Sequence, residues 1–168
     1  MKKLLFTWSF IVIFVFNSFA AETEDPYKDF VFHEEIPLEC DLQEMLYHEC
    51  IDNGVEYAFA LAVIQKESSF NPKAVNHNKN GSSDKGLFQT NSCLWKQLKK
   101  DGFITCSDDL YDAGISIKCG ILILSEKVSK YGNTERAYAA YNTGRDVKSN
   151  KNSRKVVKYW EQWKEIVE

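Results

Sequence analysis

Glu67 is the residue in this chain most suited to acid–base chemistry. It follows an apolar run, Ala58 to Ile64, made of helix formers with no Gly or Pro, and the sequence turns polar at Gln65 and Lys66. Ser68, Ser69 and Asn71-Pro72 then stop the helix, because the residue before a proline is pushed out of the α region. Glu67 is therefore expected in the last turn of a buried helix. Desolvation there disfavours its charged form, and the partial negative charge of the helix end pushes the same way. A carboxylic acid still protonated near neutral pH is what a general acid must be. Asp84, a second carboxylate, lies seventeen residues later, across a turn marked by Asn80-Gly81. It has two readings: a partner for Glu67, or a turn residue bonded to its own backbone. Gln89 and Asn91 follow, on Gly86-Leu87-Phe88. Amide side chains both donate and accept, which suits ligands rich in hydroxyls and amides.

The elements that must hold these groups are mostly helical. Residues 39–53 place Leu42, Met45, Leu46 and Cys50 on one face, with Asn53-Gly54 as the stop. Residues 55–68 form the helix that carries Glu67. Residues 94–100 make a short helix after the loop, and 109–131 the longest, ended by Gly132-Asn133. Residues 134–141 start at Thr134, a cap, and 154–167 close the chain with Val157, Trp160 and Trp163 as a packing stripe. A small β hairpin fits residues 75–90. The expected class is mostly α (α+β), in one domain spanning 38–168, with a small hairpin beside a cleft.

Met1-Lys2-Lys3, the apolar stretch Leu4 to Phe16 and the small residues before Ala21 read as a secretory signal peptide, 1–20. The apolar run is short for a membrane span, so no stable anchor is expected once it is removed. Residues 21–37 are acidic, lack periodicity and are expected to be a flexible lead-in. Loss of Lys2 and Lys3 takes the formal charge from -3 to -5. That balance argues against nucleic acid as a partner, since phosphate binding needs a clustered basic surface. It also gives no general attraction to an anionic surface, so ligand binding has to come from a groove. The five cysteines, Cys40, Cys50, Cys93, Cys106 and Cys119, all follow the signal. In an oxidising compartment they predict two disulfides and one free thiol, with the pairing left open. No CxxC or HExxH spacing is present, so no metal or other cofactor is expected.

Three segments, Glu67-Ser68-Ser69-Phe70-Asn71-Pro72, Gly86-Leu87-Phe88-Gln89 and Ala140-Tyr141-Asn142-Thr143-Gly144, resemble the motifs of the lytic transglycosylase domain of the lysozyme-like superfamily, in the right order. The subtype resembled is the small secreted enzymes that accompany specialised secretion systems, which share the Asn-rich loop. Glu67 and Asp84 also stand where animal-type lysozymes carry their catalytic carboxylates. Phe88 replaces a more usual Met, and Thr143 a more usual Ala. The resemblance covers about residues 40–159. It implies a lysozyme-like fold and cleavage of the β-1,4 bond between N-acetylmuramic acid and N-acetylglucosamine in peptidoglycan. Glu67 would act as acid and then base. Tyr141 would orient Glu67, while Asn142, Ser68, Phe88, Gln89 and Asn91 would contact the sugar. The same resemblance leaves a hydrolytic muramidase using Asp84 as the second reading, and a non-catalytic wall-binding scaffold as the third. It also implies glycan strands as partner, a secretion or conjugation machine as a second partner, and a periplasmic or extracellular cell-wall location.

Overall fold

A computed structural model describes residues 25–168; the expected signal peptide lies outside the described residues. Helix α1 (Cys40–Asp52) is followed by α2 (Tyr57–Ser68). A three-stranded antiparallel sheet comes next, with β1 (Val75–His77), β2 (Ser83–Lys85) and β3 (Thr90–Asn91) in that spatial order. Then come α3 (Ser92–Lys100), a short 3₁₀ helix (Ser107–Tyr111), α4 (Ala113–Tyr131), α5 (Glu135–Thr143) and α6 (Lys151–Val167). The expected class, helical with a small hairpin, is what the chain adopts, with β3 as an added strand.

Helix α2 organises the core. All residues from Ala58 to Ile64 are buried, so the helix is apolar on every side and must be covered on every side. Helix α1 supplies Leu46 and Cys50 to that core. Helix α6 is bolted to α2 by two tryptophans. Trp160 packs its ring 4.9 Å from Phe59 and donates Nε1–H to Glu56. Trp163 donates Nε1–H to Gln65 Oε1 at 2.8 Å and meets Phe70 edge-on. Helix α4 packs against α1 and α5, which closes the other side.

The helix boundaries depart from the periodicity where a side chain caps early. Asn91 accepts from Cys93 N, so α3 starts at Ser92 rather than Leu94. Asp112 accepts from Ile115 N, which starts α4 at Ala113. The preceding stretch becomes a 3₁₀ helix because the Asp109 carboxylate takes the N–H groups of Thr105 and Cys106. Helix α5 continues past Tyr141 to Thr143, ending at Gly144.

Two expectations are corrected. From Asp25 onward, the segment expected as a flexible lead-in is fastened to α1. Gln43, wholly buried on α1, donates to the carbonyls of His33, Ile36 and Leu38 and accepts from His33 N. Ile36 enters the core, and Tyr27 donates to Asp52 at 2.6 Å. Both the amide nitrogen and the amide oxygen of this one side chain are engaged, and they hold the segment where hydrophobic periodicity showed nothing. The cysteines are the second correction: all five are free, with Cys50 and Cys119 buried in apolar surroundings that raise their thiol pKa. Cys93 and Cys106 are exposed, and no pair is bonded.

Two glycines fix the approach of the Gly86–Gln89 segment to the helices. A Cβ on Gly86 would lie 2.1 Å from the Leu110 carbonyl oxygen, and Gly86 holds a φ of +78°. A Cβ on Gly120 of α4 would lie 2.1 Å from the ring of Phe88, near its attachment. Gly120→Ala gains about 1 kcal/mol of helix propensity. It also forces Phe88 out of place at a cost of roughly 1–3 kcal/mol. The ring cannot swing clear of a contact at its Cβ and Cγ, so the variant should show a lower urea midpoint at unchanged m-value.

Candidate active site

The cleft has a volume of about 1190 Å³ and lies between the helical body and the sheet. The end of α2 contributes Lys66, Glu67 and Ser68, and the end of α5 contributes Tyr141 and Asn142. The sheet contributes Asn76, Asn78, Asp84 and Asn91, and Gln89 and Thr90 also line it. Leu98, Leu122, Ile123 and Glu126 extend it along α3 and α4.

Glu67 is half-buried, one residue before the end of α2. Burial pushes its carboxyl pKa up, and the charge of Asp84 adds to this. Hydrogen bonds from Tyr138 and Asn142 and the charge of Lys66 pull the other way, and burial wins. Tyr138 OH donates to Glu67 Oε1 at 2.5 Å. This corrects the expectation for Tyr141, whose OH donates instead to the Phe88 carbonyl at 2.6 Å. The two tyrosines are three residues apart on α5 and stack at 6.2 Å between ring centroids. Spacing alone could place both on one face but could not say which reaches the acid. Tyr138 is fully buried, and burial beside Glu67 pushes its phenol pKa far up, so it remains a neutral donor.

Asp84 is placed by strand register. Asn76 pairs with Asp84 across β1–β2, and Asp84 with Asn91 across β2–β3, so the three form one row. Asn91 Nδ2 donates to Asp84 Oδ1 at 2.6 Å; Asn78 and Asn76 donate to Oδ2 at 2.8 and 3.3 Å. The carboxylate is thus held by three amides from three parts of the loop. Asp84 is a strand residue, not one bonded to its own turn. Asn76 and Asn78 were visible only as turn formers in the sequence, and their role depends on the register.

The remaining candidates divide. Ser68 lines the cleft, but its Oγ bonds the Ile64 carbonyl of its own helix. Gln89 lines the cleft at a φ of +49°, with Nε2 donating to the carbonyls of Ala74 and Gly86. A non-glycine residue held in that region is strained, and the surrounding bonds must hold it there. Asn142 on α5 lines the cleft and reaches Glu67. Phe88 is corrected: its side chain is fully buried against Gly120, and only its carbonyl matters to the site, through Tyr141. Trp95 does not line the cleft; it donates to the Thr90 carbonyl and packs under Lys85.

The family model described as Transglycosylase SLT domain matches residues 48–163. The chain belongs to this family. Its activity is accordingly of the lytic-transglycosylase type, directed at peptidoglycan. It is 39% identical over 116 residues to the invasion protein IagB of Salmonella typhi, covering 68% of this chain and 72% of that one. It is 36% identical over 92 residues to protein IpgF of Shigella flexneri, covering 54% and 59%. The X-ray structure of an inactive mutant of the lytic transglycosylase Slt from Pseudomonas aeruginosa superposes with a TM-score of 0.54 at 21% identity, over 79% of this chain and 22% of that one. At that identity the likeness is one of fold.

Two predictions follow from the tyrosines. Tyr138→Phe removes a bond that lowers the Glu67 pKa, so the alkaline limb of the pH–rate profile should move up and kcat should fall roughly tenfold. Tyr141→Phe should leave the profile in place but cost about 1–3 kcal/mol of stability, because it orphans the Phe88 carbonyl.

Proposed function

We propose that Glu67 acts as general acid and then general base in a lytic transglycosylase reaction on the β-1,4 bond between N-acetylmuramic acid and N-acetylglucosamine. The observation that carries this is a single carboxyl with a raised pKa, buried at the lip of the large cleft and oriented by a neutral phenol. Protonated Glu67 gives its proton to the glycosidic oxygen, the C1–O bond breaks, and the N-acetylglucosamine side leaves as an alcohol. The positive charge left at C1 of the muramic acid is stabilised by that sugar's own N-acetyl carbonyl. The C6 hydroxyl oxygen then bonds to C1 and its proton passes to Glu67. The product is a 1,6-anhydro ring, no water is consumed, and the acid is restored. Asn142, Gln89 and Asn91 would position the sugars through their amides.

Hydrolysis by a muramidase is the second reading. Asp84 favours it, since its carboxylate lines the same cleft and its charge acts on Glu67. In that case Asp84 would stabilise or attack C1, the role of the second carboxylate in lysozyme. The amide row explains Asp84 equally well as the tie that shapes the sheet, so the transglycosylase reading requires no further role for it.

The likeness to an invasion protein supports work beside a secretion or conjugation machine, in the periplasm or the extracellular cell-wall space. Among the described residues no helix is long and apolar enough to cross a membrane.

Mass spectrometry of the sugars released from purified peptidoglycan should find anhydro ends, one water lighter than reducing ends. Reducing ends would establish the hydrolase instead. Glu67→Gln should lower activity by about 10²–10⁴-fold or more. A carboxyl whose folded pKa is raised destabilises the folded state as pH climbs from its unfolded pKa through the folded one. Glu67→Gln should therefore raise Tm at pH 7, with the gain fading as pH falls below the ordinary carboxylate range. Asp84→Asn takes an acceptor oxygen from the amide row and should lower Tm in either enzyme; only in a lysozyme should the activity of the folded protein fall by several orders of magnitude.

A further inference from the structure

The net negative charge hides a strong segregation. Residues 25–56 carry ten carboxylates and one lysine, whereas residues 57–168 carry 18 Lys and Arg against 12 Asp and Glu. The cationic excess is concentrated at one place. Lys151, Arg154, Lys155 and Lys158 fall at i, i+3, i+4 and i+7 of α6, which puts them on one helix face. All four are exposed, as are Arg145 and Lys148 in the preceding loop. The opposite face of the helix is taken up by Ser153, Val156 and Trp163, which are buried. Further along the exposed face the sign changes at Glu161 and Glu165, so the stripe is confined to the start of α6.

The carboxylates around this stripe are already used. Asp146 is bound by Arg136 at 2.8 Å, and Glu135 accepts from Ser149 and Ser153. Among the described residues, Lys148, Lys151, Lys155 and Lys158 make no ion pair. The positive end of the α6 dipole adds to their field.

The stripe is also continuous with the cleft. Asn152, next to Lys151, lines the cleft and donates to Asn142 Oδ1 at 3.3 Å, and Asn142 reaches Glu67. A basic strip about 10 Å long therefore runs outward from the lip beside the acid.

We propose that this strip binds the carboxylates of the peptide stems carried by the glycan strand as it leaves the cleft. The proposal rests on the peptidoglycan reading above. The sugars of the strand are held in the polar cleft, and the stems that branch from muramic acid carry the strand's negative charge. Exposed cations at the exit attract that charge and set the register of stem-bearing strands against Glu67. Bare glycan keeps one lactyl carboxylate per muramic acid, held close to the ring, but lacks the further carboxylates of the stems and gains less from the strip.

The test compares binding of the protein to soluble glycan strands that keep uncrosslinked stems and to strands stripped of their stems by an amidase, at low salt and at molar salt. Wild-type protein should bind the stem-bearing material about tenfold more tightly at low salt, from four exposed contacts, and the difference should collapse at high salt. The variant combining Lys151→Gln, Arg154→Gln, Lys155→Gln and Lys158→Gln should lose that preference, keep its helix, and cut stripped strands with unchanged kcat/KM. Replacing the equally exposed Lys96, Lys99 and Lys100 of α3 by Gln should leave the preference intact. Equal wild-type binding to both substrates, an undiminished preference in the α6 variant, or an equal loss in the α3 variant would overturn the proposal. Equal competition by anionic vesicles or DNA would overturn it too, by making the strip a generic polyanion site. Stem-dependent binding without sugar release would uphold the strip and sink the transglycosylase reading.

Discussion

A carboxyl group taken out of water must be neutralised or hydrogen-bonded, and Glu67 sits where both demands meet. Helix α2 is apolar on all sides through Ile64, and the first polar turn arrives only as the helix runs out from under its neighbours. The fold can therefore bring an acid to the edge of the core without burying it completely. The single phenol bond from Tyr138 fixes the orientation of Glu67 yet lowers its pKa, so the acid is a balance between burial and that bond. Many features around it serve to keep that balance fixed. The bolts from α6 hold α2 in place, Gly120 lets the Phe88 segment come close, and Tyr141 ties that segment to α5.

The sheet works by a different constraint. Its side chains are mostly polar, and its strands are two or three residues long, too short to be stable alone. What holds it is the convergence of three amides on one carboxylate, together with Lys85, which bonds Asp108 and lies over the rings of Trp95 and Tyr111. Asp84 is thus as much a structural centre as a candidate for chemistry.

These differences explain what the sequence could and could not tell. The helices were legible because each has an apolar face or a clear stop, and α2 with Glu67 at its end could be read almost residue by residue. The tyrosine that reaches Glu67 was not, because Tyr138 and Tyr141 share a face and only the packing of α5 selects between them. Phe88 looked like a cleft residue because it lies between Gly86 and Gln89, but Gly120 opens a hole behind it in which the ring is buried. The lead-in was invisible because its attachment centres on a buried amide, Gln43, helped by the isolated contacts of Ile36 and Tyr27, and no periodicity reveals these. The amide row escaped for the same reason as any strand register: Asn76 and Asn78 read as turn formers, and Asn91 as a sugar contact, until their partners are known.

The two tryptophan bolts have a consequence for the order in which the chain becomes an enzyme. Their bonds to α2 span 104 and 98 residues of sequence. A chain emerging from the ribosome, or threading through an export channel, completes the helix bearing Glu67 long before its cover exists. Until α6 arrives, that apolar helix has one bare side and its end is not held. The nascent chain therefore carries Glu67 in an unformed site, and the cleft can take its final shape only after α6 has been made.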